Sequence, residues 1–202
     1  MWFSKDTPLD KKLRGFGCGV VALHDLASYK GYIKPAASQE DFKKRIRKIE
    51  KSGIFVFPGL GIAPYYYPFL CNCFLMRKKV PIRMSLLKTA RSQDRCNGAD
   101  IRAAIEDDLP VIFCVGPTIP FLFRDKRLTL YNRDRKPSGQ RTKAHYMTVL
   151  GVTKYDDEVW LEIASWGAQY CIRLSEMSDF SKYTFPFTTG FYMPREKRNK
   201  KL

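Results

Sequence analysis

With 202 residues, of which 45% are hydrophobic and 14% of the whole chain aromatic, the chain can bury a substantial core, which excludes fibrous and wholly disordered classes. Its formal charge of +16 directs attention to anionic partners. No stretch approaches the ~20 apolar residues of a membrane helix, and Met1-Trp2-Phe3-Ser4-Lys5-Asp6 does not lead from a basic stretch into a long apolar run. The expectation is therefore one domain over residues 1–194 with a basic flexible tail over 195–202, no membrane span and a cytoplasmic setting.

In chain order, Cys18 to Tyr29 carries apolar residues at 20, 21, 23, 26 and 27 before the stop signal Gly31, which predicts a helix. Ser38 is placed to cap a second helix, in which Phe42, Ile46 and Ile49 fall at helical spacing before Gly53. Ile54 to Phe57 reads as a short extended piece running into the turn Pro58-Gly59. The aromatic-rich stretch from Ala63 to Met76 reads as a buried helix interrupted by Pro68, and Lys78 to Thr89 has no clear period. Asn97 to Glu106 predicts a short helix, and Val111 to Val115 a buried strand. Downstream, His145–Thr153, Val159–Ser165, Gln169–Leu174 and Thr188–Met193 are β-branched or aromatic runs separated by polar turns, which predicts an antiparallel sheet.

Two of these elements open on residues with chemistry. Cys18 begins an apolar helix within Gly15-Phe16-Gly17-Cys18-Gly19, and a cysteine at a helix N-terminus gains thiolate character. His145, opening a strand, is placed to take its proton. The plainer alternatives are a buried small apolar cysteine and a satisfied core histidine.

The six cysteines, at 18, 71, 73, 96, 114 and 171, are expected as free thiols. Cys71-Asn72-Cys73 lacks the two-residue spacer and second ligand pair of a zinc site, and the chain holds only two histidines, so neither a metal nor another cofactor is expected. The charge has two concentrations. Residues 195–201 hold five basic residues against Glu196, and residues 124–143 hold eight against Asp125 and Asp134. The second runs directly into His145, where it borders a cleft and steers an acidic peptide, or else forms a solvated loop. No zinc-finger spacing or aromatic RNA-binding signature accompanies the charge, so nucleic acid is not the expected partner.

Gly17-Cys18-Gly19-Val20-Val21-Ala22 resembles the nucleophile helix of papain-like cysteine peptidases, especially the bacterial branch related to bacteriocin-leader-processing peptidases. His145-Tyr146-Met147-Thr148-Val149-Leu150-Gly151-Val152 resembles the strand that presents their base, and Ala164-Ser165-Trp166-Gly167 their Asn-Ser-Trp-Gly. The resemblance implies an α+β, papain-like fold with a helical lobe followed by an antiparallel sheet lobe. It also implies a thiol hydrolase, a cysteine peptidase acting on a peptide or protein through Cys18 and His145. The position of the family's orienting Asn is held by Ala164, and that of its oxyanion Gln by Lys12. Ser165, next along a strand, is expected to face away; Trp166, Lys12 and Gln140 are further supporting candidates, together with Asn97 and Asp100. A second reading follows from these two replacements, a catalytically weakened relative that binds a peptide or protein in the inherited cleft.

Overall fold

Helix α1 (Cys18–Tyr29) is buried along most of its length, with Val20, Val21, Leu23, Leu26 and Ala27 all enclosed. A helix so apolar on every side belongs in the centre of a structure, and α1 packs between a second helix and the sheet. The computed structural model describes residues 17–52, 62–80, 82–89, 98–119, 122–186 and 188–196. The expected extended piece at 54–57 lies outside them.

Helix α2 (Gln39–Lys51) starts where Ser38 caps it, the Asp41 N–H donating to Ser38 Oγ at 3.1 Å. Such a cap contributes about 1 kcal/mol. Phe42, Ile46 and Ile49 form its one buried stripe. Pro68 does not interrupt the next helix. A short 3-10 turn (Pro64–Tyr66) leads into α3 (Tyr67–Arg77), where Pro68 occupies the first turn and needs no intrahelical donor.

The periodless stretch after Lys78 contains strand β1 (Ile82–Thr89), a correction to its reading from sequence. Then follow α4 (Ala99–Glu106), β2 (Val111–Val115), β3 (Leu128–Tyr131), β4 (Pro137–Thr142), β5 (His145–Tyr155), β6 (Glu158–Ser165), β7 (Ala168–Arg173), α5 (Leu174–Ser181) and β8 (Gly190–Glu196). The chain is an α+β protein whose eight strands form one antiparallel sheet in the order β1-β8-β2-β5-β6-β7-β3-β4. β8 continues through Glu196, where Arg195 pairs with Arg83 and Glu196 with Ile82, so the first two residues of the expected tail belong to the sheet.

Strand alternation divides the core between the two faces of the sheet. Ile112 and Cys114 of β2 join Tyr146 and Tyr192 against α1, α2 and α3. Val111, Phe113 and Val115 turn the other way and join Met147, Leu161, Ile163 and Phe191 against α4 and α5. β2 is accordingly buried at all five positions. A third, smaller cluster of Tyr131, Trp160 and Cys171 lies apart from both. It is bordered by Arg135 and Arg173, whose guanidinium carbons stand 5.6 and 5.1 Å from the Trp160 ring centre.

Candidate thiol–imidazole site

Cys18 is the first residue of α1, with Gly17 as its cap. The following glycine is required by space. A Cβ at Gly19 would stand 2.9 Å from Ile62 Cδ1, 3.1 Å from Tyr67 and 3.3 Å from Tyr146. The Gly19 carbonyl accepts from the buried Tyr67 hydroxyl at 3.0 Å, and the Tyr67 ring centre lies 4.3 Å from that of Tyr146. The start of α1 is thus seated against β5, whose first residue is His145.

His145 is 7% exposed and pairs across the sheet with Val115 of β2. Its Nε2 stands 2.7 Å from Ser165 Oγ, and its ring lies nearly parallel to Trp166, centres 4.6 Å apart and planes at 21°. The hairpin between β6 and β7 produces this cover. Ser165 pairs with Ala168, and the two residues between them, Trp166 and Gly167, take φ of 48° and 76°. Positive φ at both central positions is the geometry that suits a tight hairpin, and it is uncommon for a residue as large as tryptophan.

Cys18 and His145 line one narrow crevice together with Asp25, Thr148, Ala164 and Trp166. It offers about 20 Å³ of room, enough for a single water. No hydrogen bond joins thiol and imidazole among the described residues. Burial pushes the Cys18 thiol above its ordinary value, although the backbone N–H groups of Tyr146, Gly19 and Cys18 itself stabilise the thiolate. Burial also pulls His145 down, to about 4. At neutral pH the resting pair is therefore a thiol beside a neutral imidazole. The thiolate character expected of a cysteine at a helix start is overridden here, because desolvation outweighs the helix terminus.

The supporting residues divide unevenly. Ser165 and Trp166 both contact His145, which corrects the expectation that Ser165 faces away; the pairing of Val149 with Ile163 and Thr148 with Ala164 continues to put Ser165 opposite Met147, on the same face as His145 two residues earlier. Ala164 lines the crevice and offers no polar group. Gln140 sits half-buried on the edge strand β4, its N–H donating to Ser138 Oγ at 3.1 Å, and does not line the crevice. Asp100 is exposed on the first turn of α4. Lys12 and Asn97 lie outside the described residues. Asp25 is a participant that helical spacing signals: seven residues after Cys18, it shares the same face and lines the crevice without reaching the thiol.

The basic stretch of residues 124–143 is split by the fold. Arg124, Lys126 and Arg127 are exposed in the segment that follows β2, whose last residue pairs with His145, and Lys143 Nζ donates to the Arg124 carbonyl. Arg133, Arg135 and Lys136 instead belong to the β3–β4 connection. There Arg135 donates to Thr153 Oγ1 at 2.9 Å and lies 3.7 Å from Glu162.

Cys18, Cys71, Cys73, Cys114 and Cys171 are free thiols. Among the described residues no group of three His, Cys, Asp or Glu side chains stands together to hold a metal ion, and no helix is long and apolar enough to cross a membrane. No family model matches the chain, and comparison with curated proteins and with solved structures finds no match.

Proposed function

We propose that this chain is a papain-like thiol hydrolase, a cysteine peptidase in which Cys18 is the nucleophile and His145 the base. The observation that carries the reading is the anchored imidazole. Nε2 is bonded to Ser165 Oγ and one ring face is covered by Trp166, so the ring is fixed in the crevice it shares with Cys18, and in this reading its other nitrogen, Nδ1, serves the thiol. On arrival of a peptide, the Cys18 proton passes to Nδ1 as sulfur attacks the scissile carbonyl carbon. Collapse of the tetrahedral adduct breaks the C–N bond, and the amine leaves with the proton from His145. Water then attacks the thioester with His145 again as base, releasing the acid and restoring the thiol. The Cys18 backbone N–H, at a helix start, is one donor for the oxyanion.

Because the pair rests neutral, ionisation is coupled to substrate arrival. Opening of the crevice is part of the cycle, since a space for one water admits no peptide. The exposed Arg124 and Lys126, in the segment beginning at the partner of His145, favour an acidic substrate. Free thiols suit a reducing cytoplasm.

The same neutral, narrow site gives the alternative its support. A relative that has lost the orienting Asn and binds a peptide without cleaving it would keep the cleft and its charge. Incubation of a mixed peptide library with the wild type, Cys18→Ala and His145→Ala separates the two. Cleavage by the wild type that both substitutions abolish supports the hydrolase, whereas retention of peptides without cleavage by all three assigns the site to binding.

A further inference from the structure

A cavity of about 390 Å³ opens beside the Cys–His crevice and shares Asp25, Thr148 and Ala164 with it. It lies against the later turns of α1, from His24 to Tyr29, which are six to eleven residues beyond Cys18 and so roughly 9–16 Å further along the helix axis. Its opposite walls come from the turn after α4, from β5 and from β6. Ile105, Leu109, Val149 and Leu150 make most of it apolar, and its volume is within the range of small-ligand pockets. At about 30 Å³ for each non-hydrogen atom, the share of a water in liquid, it takes roughly a dozen.

Its polar groups ask for one kind of ligand. Asp108, at the rim, is already neutralised: Lys30 Nζ donates to Oδ2 at 2.7 Å and the Tyr29 hydroxyl to Oδ1 at 2.5 Å. Asp25 has no Lys or Arg partner among the described residues. Its only contact of that kind is His24 Nδ1, at 3.2 Å. A carboxylate can only accept, so His24 Nδ1 donates to it, and Nε2 is the ring's remaining polar atom. That Nε2 is buried without a partner in a side chain 3% exposed, and Ser28 Oγ, one turn on, is likewise unpartnered. Unsatisfied buried polar atoms are costly, and His24 and Ser28 both line this apolar cavity beside Asp25.

We propose that this cavity binds a small apolar amine, with its aliphatic body among Ile105, Leu109, Val149 and Leu150 and its ammonium group toward Asp25. The protein as a whole repels such a ligand, since its formal charge is +16. A preference for cation over anion therefore has to come from the site.

The test is calorimetric titration of the full chain with n-octylamine, n-octanol and n-octanoate at 0.15 M salt. Octylamine is expected to bind saturably with one site and at least tenfold more tightly than octanoate. Asp25→Asn should remove the preference for amine and leave octanol binding unchanged. Leu150→Trp, at a position 40% exposed and tolerant of a larger side chain, should fill the cavity and weaken amine and alcohol alike by tenfold or more. Absence of saturable octylamine binding, octanoate binding as tight as octylamine, or an octylamine affinity indifferent to Leu150→Trp would each overturn the proposal.

Discussion

His145 Nε2 and Ser165 Oγ are 2.7 Å apart, so the ring at the start of β5 is held by a hydroxyl at the end of β6. A hydroxyl can both donate and accept, so it fixes the ring's position more firmly than its tautomer. Ser165→Ala leaves a buried ring nitrogen without its partner, at a cost of about 1–3 kcal/mol. Chemical denaturation should show that loss, while Ser165→Asn, which restores an acceptor, should recover part of it. Equal stability of wild type and Ser165→Ala would mean that the contact does not hold the ring.

Burial of His145 makes stability depend on pH with a definite sign. The folded-state value of about 4 lies below the ordinary 6.5, so between these values the unfolded chain binds more protons than the folded one. The contribution is complete above about 6.5 and is lost as pH falls toward 4, by roughly 3 kcal/mol over the window. Urea midpoints of wild type and His145→Gln should therefore diverge in slope between pH 6.5 and 4, with the variant the flatter. Parallel slopes would place the sensitivity elsewhere.

Much of this arrangement is legible in the sequence, because it rests on local signals. The span of α1, the Ser38 cap and the strand opening at His145 follow from apolar spacing and capping chemistry. β1 and the β3–β4 hairpin do not. β4 contains Pro137 and Gly139, and lies at the sheet edge, where pairing to a neighbour rather than alternation of apolar residues defines the strand. The role of Ser165 is hidden because it depends on which residues of β5 stand opposite β6: the pairing of Val149 with Ile163 and Thr148 with Ala164 carries Ser165 opposite Met147, on the face of His145, and sequence alone does not supply that register. The ionisation of Cys18 depends on how much protein surrounds the sulfur, which no local pattern reports.

The thiol should behave accordingly. Cys18 is half-buried, and its surroundings push the thiol upward. Mapped iodoacetamide labelling of Cys18 should be slow at pH 7 and should climb steeply above pH 9. A fast, pH-independent reaction at Cys18 between pH 5 and 7 would show a resting thiolate instead.

Splitting of the basic segment predicts unequal effects of its charges. Arg124→Glu with Lys126→Glu should reduce the association rate of an acidic peptide and flatten its dependence on salt. Arg133→Glu, in the β3–β4 connection, should change neither. Identical effects of the two changes would remove the link between the first group and the site.

The most direct measurement is the fate of an acyl group on Cys18. A blocked dipeptide p-nitrophenyl ester should acylate Cys18 in the wild type, with the adduct mapped by mass spectrometry and released on standing. Cys18→Ala should show no such adduct, and His145→Ala should form and release it about 10²–10⁴ times more slowly. Absence of acylation at Cys18 in the wild type, or rates unchanged without His145, would contradict the assignment of these two residues as nucleophile and base.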